Sequence, residues 1–563
     1  MIENTIILEK FLSKNLSKQG LVYPLIGRTH PNAWGNSFCF LMCALLYEKT
    51  KDKKWKEKAV VSINAELTAT KNRFLDKNIF RWEFKNYSFL KLYPLLLKNN
   101  YDKDLIANVK DRILKMQHIE SFQTNWIAMR ALNFLLRYNL FNLPQDKKNS
   151  VKELEKVLKR QNNDGLFWDY IYQNSFQYHA YILALLVQYY EILPTIKLKK
   201  AIQDGINFLI RVTDNNGDFN YYGRGQKQIF GYTSAIFTLS KWYKITNDKN
   251  YLSYSKLIYN FIKPYIRKGA IVMNKDQKLR AGWYKYNYGM EYLLFAKVYL
   301  LLSENFKQIK LPKITDLEIY FPSLNMFVKR TKEYFICLSG NGRQSTEVGC
   351  LVNFYPKVIN CSGGPPINLI GTQRDYSENY FGIVKNNKNP LYCKLGKLNK
   401  KEKEISISYN LRDCKIIQSF NLGKKIILKF KIIPKTNLYI KPLHYVASHK
   451  LESSIKCLKR GKIITPEGIS NVFESEKINV NKPMEFTVIL YKSKSESNPI
   501  INKLSGISDV FTVRKFVLFK ITEFIHFFKI LFFKLIKNPK DFILMFSYNQ
   551  KRDLYMRERN KNY

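Results

Sequence analysis

The run NSFQYHAYILALL, residues 174–186, decides how the first half of this chain can be interpreted. It has the composition of an apolar helix, yet it carries His179 at its start, between Tyr178 and Ala180. The whole chain has only six histidines in 563 residues. A histidine on an apolar helix face is most often a core residue whose nitrogens are bonded internally. A catalytic role for His179 therefore depends on what surrounds it.

Similar aromatic and Ala/Leu-rich runs recur across residues 30–306, at intervals of 38 to 59 residues, and alternate with more charged helical patterns. This period is typical of repeated helix pairs. Apolar helices packed inside a ring of amphipathic helices form an (α/α) toroid. The sequence thus predicts a toroid of about five to six helix pairs over residues 1–308. The apolar runs begin near Trp34, Tyr87, Asn125, Phe176, Ile229 and Tyr288.

Residues 309–503 have a different pattern, in which apolar and polar side chains alternate. CKIIQSFNL at 414–422 and KKIILKFKII at 424–433 are examples, and turns rich in Gly, Asn and Lys separate such runs. Alternation of period two predicts antiparallel strands with one buried face. A second domain also agrees with the length of the chain, because single cores stop growing at about 250–300 residues. The expected fold is therefore a toroid followed by an antiparallel β-sandwich.

The last segment, residues 504–563, predicts a basic amphipathic helical tail. Apolar residues from Val517 to Ile536 share one arc of a helical wheel, and lysines lie outside that arc. Residues 511–537 are therefore expected to bind an anionic membrane surface. Packing of the same helix on the β domain is the alternative. No stretch of about 18 uncharged apolar residues occurs, so the sequence predicts no membrane span.

Composition limits the partners. The formal net charge of +48 favours polyanions, and 46% hydrophobic residues allow sizeable cores. Nucleic acid is not expected, because the chain lacks an arginine-rich arm, zinc-finger spacing and an RNA-recognition signature. The eight cysteines form no CxxC pair, and the N-terminus does not resemble a signal peptide. These features predict a cytoplasmic protein, peripheral on the inner membrane face if the tail binds lipid, with no metal or cofactor.

Two loops with similar sequences are expected at the open end of the toroid, before inner helices. They are QNNDGLFWD at 161–169 and DNNGDFNYYGRG at 214–225. Turn formation explains their Asn, Asp and Gly residues. It does not require the aromatic residues, so Trp168 and Tyr221 are candidates for stacking on sugar rings. Asp164 and Asp169 form the only close pair of acids at such a loop, which keeps a glycoside hydrolase as a minor alternative.

Polar residues from three successive repeats are expected to converge at this mouth: Asn125, His179, Tyr222, Arg224 and Gln226. Such a set suits β-elimination on a uronic acid. Neutral or cationic donors stabilise the extra negative charge on the carboxylate as the C5 proton leaves. A His or Tyr removes that proton, and a Tyr can protonate the departing oxygen. His30 precedes the first inner helix and is a weaker candidate for substrate binding.

QNSFQYHAYILALLVQYYEILP resembles the Tyr-His helix of the heparinase II/III-like polysaccharide lyases, whose pattern is roughly E-x-S-x-N-Y-H before an apolar helix. Ser175, Tyr178 and His179 match that pattern, whereas Gln173 replaces its acid and Gln177 replaces an Asn. The resemblance is clearest over residues 120–235. It implies a toroid followed by a β-sandwich, a substrate bound by Gln177 and Tyr178, and catalysis by His179.

The resemblance also implies a catalytic Tyr in the following repeat, where Tyr222 and Tyr232 both qualify. Toroid lyases of the hyaluronate type carry an Asn-Trp pair like Asn125-Trp126 and an Arg-Gly-rich stretch like that at Arg224. The expected activity is therefore that of a lyase on an acidic polysaccharide or oligosaccharide. A uronate C5 epimerase and a non-catalytic carbohydrate-binding factor in cell-surface polysaccharide synthesis remain alternatives. Core packing, helix capping and turn formation are the structural alternatives for the individual residues.

Overall fold

The computed structural model describes most of the helical region and most of the strands. The described residues are 35–71, 82–118, 121, 123–169, 174–223, 229–263, 266–267, 270–271, 289–306, 308–340, 349–354, 361–362, 380–385, 389–391, 396–401, 404–411, 413–423, 425–447, 450–454, 457–465, 468–476 and 478–491. The predicted tail, residues 504–563 with its membrane segment 511–537, lies outside them. His30, Arg224 and Gln226 lie outside them as well.

The helical region consists of helix pairs, as predicted. The inner helices are α1 (Gly35–Thr50), α3 (Trp82–Lys98), α5 (Thr124–Phe141), α7 (Phe176–Ile192), α9 (Ile229–Thr246) and α11 (Gly289–Leu302). The outer helices are α2 (Lys53–Lys71), α4 (Lys103–Leu114), α6 (Pro144–Leu158), α8 (Ile196–Val212) and α10 (Lys249–Ile262). Each inner helix contacts the next, and α11 contacts α1, so the described inner helices form a closed ring. The number of repeats in the whole chain stays a prediction.

The two kinds of helix differ in how they are buried. In α7, 13 of the 17 residues are buried, because this helix is enclosed by neighbours on nearly every side. In α8 the buried residues follow the three- and four-residue spacing of a single face, which packs on α7. Each helix begins after a hydroxyl side chain that caps it. The Ser175 hydroxyl accepts the N–H of Tyr178 in α7, and the Thr195 hydroxyl accepts the N–H of Leu198 in α8.

Aromatic side chains fill the centre of the ring. We call the set Phe38, Phe84, Tyr181, Phe230 and Phe295 the aromatic plug. These residues come from five inner helices and contact one another, with ring centroids 5.2 Å apart for Phe38 and Phe295 and 5.7 Å apart for Phe230 and Phe295. The ring is therefore a packed core at this level, and a ligand can only approach its ends.

The β region forms antiparallel sheets. A two-stranded ribbon pairs β1 (Ile266–Arg267) with β2 (Ala270–Ile271). The other described strands are β3 Leu317–Phe321, β4 Met326–Arg330, β5 Tyr334–Ser339, β6 Gly349–Phe354, β7 Cys361–Ser362, β8 Tyr380–Lys385, β9 Asn389–Leu391, β10 Gly396–Lys400, β11 Ile405–Asn410, β12 Cys414–Leu422, β13 Ile426–Pro434, β14 Leu438–Ala447, β15 Lys450–Ser453, β16 Cys457–Thr465, β17 Gly468–Ser475, β18 Ile478–Val480 and β19 Met484–Tyr491. The first sheet has the order β3-β4-β5-β6-β7, the second β10-β11-β12-β13-β19-β15, and the third β16-β17-β14-β8-β9 with β18 on β14.

The first sheet is covered on both faces. Every residue of β5 is buried, and alternate side chains belong to different cores. Phe335 and Cys337 join the core of the helical ring, whereas Ile336 and Leu338 join the core formed with the second sheet. Because successive side chains of a strand point to opposite faces, one strand serves both cores. The helices, the first sheet and the second sheet are thus stacked in layers.

The described part of the chain does not contain a helix long and apolar enough to cross a membrane. Helices and sheets up to Tyr491 belong to one compact unit, apart from residues 120–123. Those four residues and residues 492–563 form a second unit, most of which lies outside the described residues. The predicted boundary at residues 308–309 falls between the end of α11 at Leu302 and the start of β3 at Leu317. A separation into domains there stays a prediction.

Candidate carbohydrate site

The two similar loops adopt the same turn. In the first, the Asn162 side chain accepts bonds from the N–H groups of residues 164 and 166, at 3.1 and 2.9 Å. In the second, the Asp214 side chain accepts bonds from residues 216 and 218, at 2.9 and 2.8 Å. The loops are therefore equivalent positions of two successive repeats, and their Asn and Asp residues act in turn formation.

A glycine in each turn lies against the next outer helix. Gly165 and Gly217 both have φ of +97°, in the left-handed region that side chains disfavour. A Cβ atom on Gly217 would lie 2.6 Å from the carbonyl oxygen of Leu257, in α10. One on Gly165 would collide in the same way with Asp204, in α8. The turns therefore fix the stacking of one repeat on the next.

Both loops also bond to β4 of the first sheet or to residues on either side of that strand. Asp164 accepts bonds from the backbone N–H and the hydroxyl of Ser323. Asn215 donates to the Thr331 carbonyl at 2.7 Å, and Arg330 donates to the Thr213 carbonyl at 2.6 Å. Asp164 is thus engaged in joining the helices to the sheet. Its predicted partner in a hydrolase, Asp169, is fully buried, which does not favour hydrolase chemistry at this pair.

His179 has no exposed surface, and both of its ring nitrogens are bonded to backbone. Nδ1 accepts the N–H of Phe167 at 3.1 Å, and Nε2 lies 3.0 Å from the Gly205 carbonyl oxygen, to which it donates. Burial lowers the pKa of His179 to about 4, against a smaller raising effect of the Gly205 bond, so the ring is neutral at pH 7. This is the geometry of a structural histidine. It does not favour the predicted role in proton abstraction.

Two of the candidate tyrosines pack where the helices meet the first sheet. Tyr222 is 3% exposed, stacks on Phe176 with centroids 4.9 Å apart, and its hydroxyl lies 3.1 Å from the Ser339 hydroxyl. Tyr221 is also buried and donates to the Val212 carbonyl at 2.7 Å. Neither position favours the predicted contact with a substrate.

Tyr232 and Gln177 belong to a buried polar network that the sequence did not reveal. The Tyr232 hydroxyl donates to Asp218 at 2.7 Å, and Asp218 also accepts the N–H of Asn220. The Asn220 side chain in turn donates to Gln177 at 3.4 Å. All four side chains are buried and link α7 and α9 to the second loop. In the sequence, the signal for this network is limited to the acid Asp218 and the amide Asn220, which follow the turn directly.

A second buried network surrounds His118, which the sequence interpretation also missed. Its Nδ1 lies 3.1 Å from the carboxylate of Glu83, and Asn133 donates to the same carboxylate at 2.8 Å. The imidazole packs on Phe134 with centroids 4.0 Å apart. Glu83 belongs to the inner helix α3 and Asn133 to the inner helix α5, and His118 follows the outer helix α4. The network therefore links two adjacent inner helices to the segment after α4.

Partly exposed aromatic residues lie at the end of the ring where the inner helices begin. Trp126 and Tyr178 lie in the first turns of α5 and α7. Both are partly exposed and pack edge-on against the aromatic plug, Trp126 on Phe84 at 5.8 Å and Tyr178 on Phe230 at 5.7 Å. We call this end of the ring the mouth. Aromatic faces of this kind are suited to sugar rings.

Asn125 and Trp168 lie beside these aromatic residues. Asn125 is 3% exposed, and its side-chain oxygen has no hydrogen-bond partner among the described residues. Trp168 is partly exposed, and the next residue, Asp169, accepts the N–H of Thr124 at 2.8 Å. A buried amide oxygen without a partner is uncommon, and it is consistent with a ligand or water at this position. The structure therefore brings Asn125, Trp126 and Trp168 together at one end of α5.

No protein-family model matches the sequence, and no curated protein matches it. Solved structures do match. A heparan sulfate lyase HepC mutant from Pedobacter heparinus superposes with a TM-score of 0.52 at 10% identity, covering 88% of this chain and 84% of that one. The chondroitin AC lyase of Streptomyces coelicolor A3 gives 0.52 at 9% identity, covering 87% and 80%. This chain has a polysaccharide lyase fold.

Within this lyase fold, the predicted residues divide into two groups. The first group is buried and hydrogen-bonded, and consists of His179, Gln177, Tyr221, Tyr222 and Tyr232. The second group lies at or near the mouth, and consists of Asn125, Trp126, Trp168 and Tyr178. All of these except Asn125 are partly exposed. In the ranges that the structure describes, no group of three or more His, Cys, Asp or Glu side chains is arranged to hold a metal ion.

Proposed function

We propose that the protein acts as a lyase on a polysaccharide or oligosaccharide that contains uronic acid. The observation that carries this proposal is the likeness to a heparan sulfate lyase and a chondroitin AC lyase across both the helical and the β region. The net charge of +48 supports an acidic substrate. The partly exposed Trp126 and Tyr178 support binding of sugar rings at the mouth.

The chemistry proposed is β-elimination. A base takes the C5 proton, and the electrons of the C5–H bond form the C4–C5 double bond. The C4–O bond breaks, and a tyrosine hydroxyl protonates the departing glycosidic oxygen. Asn125 is proposed to donate to the uronate carboxylate, which stabilises the charge that develops there. Arg224, outside the described residues, is proposed for the same role.

Either a His or a Tyr can serve as the base in such a reaction. His179 is bonded on both nitrogens, so the proposal assigns proton transfer to a tyrosine. Tyr178 is the candidate whose ring is partly exposed at the mouth. Catalytic roles for Tyr222 and Tyr232 remain predictions that their burial does not favour.

The test is ultraviolet absorbance of the unsaturated uronate product on heparan sulfate, chondroitin sulfate and other uronate polymers. Tyr178→Phe removes only the hydroxyl and should reduce the rate by about 100-fold or more, the usual contribution of proton transfer by a side chain. Tyr190→Phe is the matched control, because Tyr190 is partly exposed on the same helix beyond the plug. Equal rates for Tyr178→Phe and wild type would exclude this assignment.

Two alternatives have distinct outcomes in the same experiments. A C5 epimerase would incorporate deuterium from heavy water without shortening the chain or forming the double bond. The internal bonding of His179 favours a second candidate, a carbohydrate-binding protein without lyase chemistry. In that case Trp126→Ala would weaken glycan binding by about tenfold, a loss of about 1.4 kcal/mol, while no polymer yields product.

A further inference from the structure

The end of the ring opposite the mouth carries a group of charged side chains that the proposed function does not use. They lie in the later turns of the inner helices or just after the last one. We call this set the basal lysine cluster: Lys49, Lys91, Lys241 and Lys244, with Glu191 and Glu304. It contains four cations and two carboxylates, so its net charge is positive.

The helical spacing places these lysines below the aromatic plug. Lys49 follows Phe38 by eleven residues in α1, and Lys241 follows Phe230 by eleven in α9. Eleven residues are about three turns, so each lysine lies on the same helix face as its plug residue, about 16 Å further along the axis. Lys91 follows Phe84 by seven residues, or about two turns, in α3.

The charges within the cluster are unevenly paired. Lys241 lies 3.2 Å from Glu191, and Lys244 lies 2.8 Å from Glu304. Lys91 has neither an ion pair nor a hydrogen-bond acceptor among the described residues, although Glu191 and Lys241 are close enough to affect it electrostatically. Burial lowers the pKa of Lys91 to about 8, and Glu191 opposes this shift only in part. The ammonium of Lys91 is thus partly desolvated and incompletely neutralised.

Helix polarity explains only some of these lysines. Lys49 and Lys244 lie in the last turns of their helices, where cations interact favourably with the carbonyl end of the helix dipole. Lys91 lies seven residues before the end of α3, beyond the range of that effect. A partly buried ammonium without a partner is unfavourable, and an anion beside it would offset the cost.

We propose that the basal lysine cluster binds a small oxyanion, with Lys91 as its central donor and Lys49 at the exposed side. The shared chemistry is that of phosphate, sulfate or a sugar carboxylate. Lysine ammonium groups bind such anions through charge-assisted hydrogen bonds. This site is separate from the mouth, so the proposal does not depend on lyase activity.

The test uses the full chain and three variants. Lys91→Met keeps a side chain of similar length and removes the charge, Lys49→Gln removes the second cation, and Lys152→Met on the exposed surface of α6 is the matched control. Inorganic phosphate, sulfate and glucuronate are titrated separately by calorimetry and by thermal melting, against sodium chloride at the same ionic strength. The anion that binds identifies the source.

We expect one of these anions to bind wild type and Lys152→Met with equal affinity. Lys91→Met should lose about tenfold or more in affinity, because one charge-assisted bond is removed, and Lys49→Gln should lose less. Equal binding by Lys91→Met and wild type would overturn the proposal, and so would melting shifts that sodium chloride reproduces in full. No binding of any of the three anions would overturn it as well. Lyase assays on the same variants keep this result distinct from that of the proposed function.

Discussion

Replacing His179 by Ala should destabilise the fold strongly, because the imidazole bonds two backbone groups from separate elements. Phe167 lies in the loop before α7, and Gly205 lies in the outer helix α8. Loss of the ring leaves the N–H of Phe167 buried without a partner. It also removes the second hydrogen bond of the Gly205 carbonyl, which keeps its helical bond inside α8. It also leaves a cavity beside Leu183 and Phe208, which pack close to this histidine or its partner glycine.

The expected loss can be estimated from these contacts. The unsatisfied N–H of Phe167 costs about 1–3 kcal/mol, and the lost bond to the Gly205 carbonyl costs about 0.5–1.5 kcal/mol. The cavity adds about 2 kcal/mol, since truncation of a large buried side chain usually costs that or more. His179→Ala should therefore lower the free energy of unfolding by about 4–6 kcal/mol. A domain with a typical stability of about 5–15 kcal/mol would be left marginal.

The assay is urea unfolding followed by tryptophan fluorescence, with His179→Gln as the comparison. The Gln amide can still donate to the Gly205 carbonyl, so we expect that variant to lose only about 2 kcal/mol. A loss of less than about 1 kcal/mol in His179→Ala would refute the structural argument, because an unpaired buried N–H together with a cavity cannot cost so little. A folded, stable His179→Gln that has lost all lyase activity would instead favour the catalytic role.

Three further predictions concern the pH dependence of stability, a glycine turn and the basal lysine cluster. Burial lowers the pKa of His179 from 6.5 to about 4, so the unfolded state binds more protons between these two pH values. The free energy of unfolding of wild type should therefore fall by about 3 kcal/mol from pH 6.5 to pH 4. Urea titrations of His179→Gln should lack this pH-dependent component. Gly217→Ala should cost about 2 kcal/mol or more in thermal melts, whereas Gly423→Ala, whose Cβ would have its nearest neighbour at 3.8 Å, should change little. With no added oxyanion, Lys91→Met should be more stable than wild type at pH 7. The pKa of Lys91 is about 8 in the folded state and 10.5 in the unfolded state, so this difference in stability should shrink as the pH rises from 8 to 10.5. Equal stability of the two proteins at pH 7 would contradict the burial of that charge.

The order and type of the elements followed from the sequence. The predicted inner runs at Asn125, Phe176, Ile229 and Tyr288 agree to within one residue with the starts of α5, α7, α9 and α11. The start near Tyr87 lay five residues inside α3, because WEFKN before it is more polar than the other runs. The strand at 414–422 was also predicted with its observed bounds. Periodicity is a local property, and one sequence is enough to reveal it.

The β region shows where local pattern stops being informative. Alternation predicts one buried face per strand, but β5 is buried on both faces, and its sequence YFICLS is apolar nearly throughout. Such a run indicates that the strand is covered on both sides without indicating by what. The helical ring and the second sheet provide the two covers, and both are distant in sequence.

The sequence by itself determined the helix-pair period, the two matching turns, and the aromatic and polar residues at the starts of the inner helices. Only the tertiary structure decided which of those residues a ligand can reach. His179, Tyr222 and Tyr232 find hydrogen-bond partners in elements 12 to 117 residues away, and those partners bury them. Trp126 and Tyr178 meet the plug edge-on and stay partly exposed. Accessibility depends on contacts between distant segments, and no local pattern of residues encodes it.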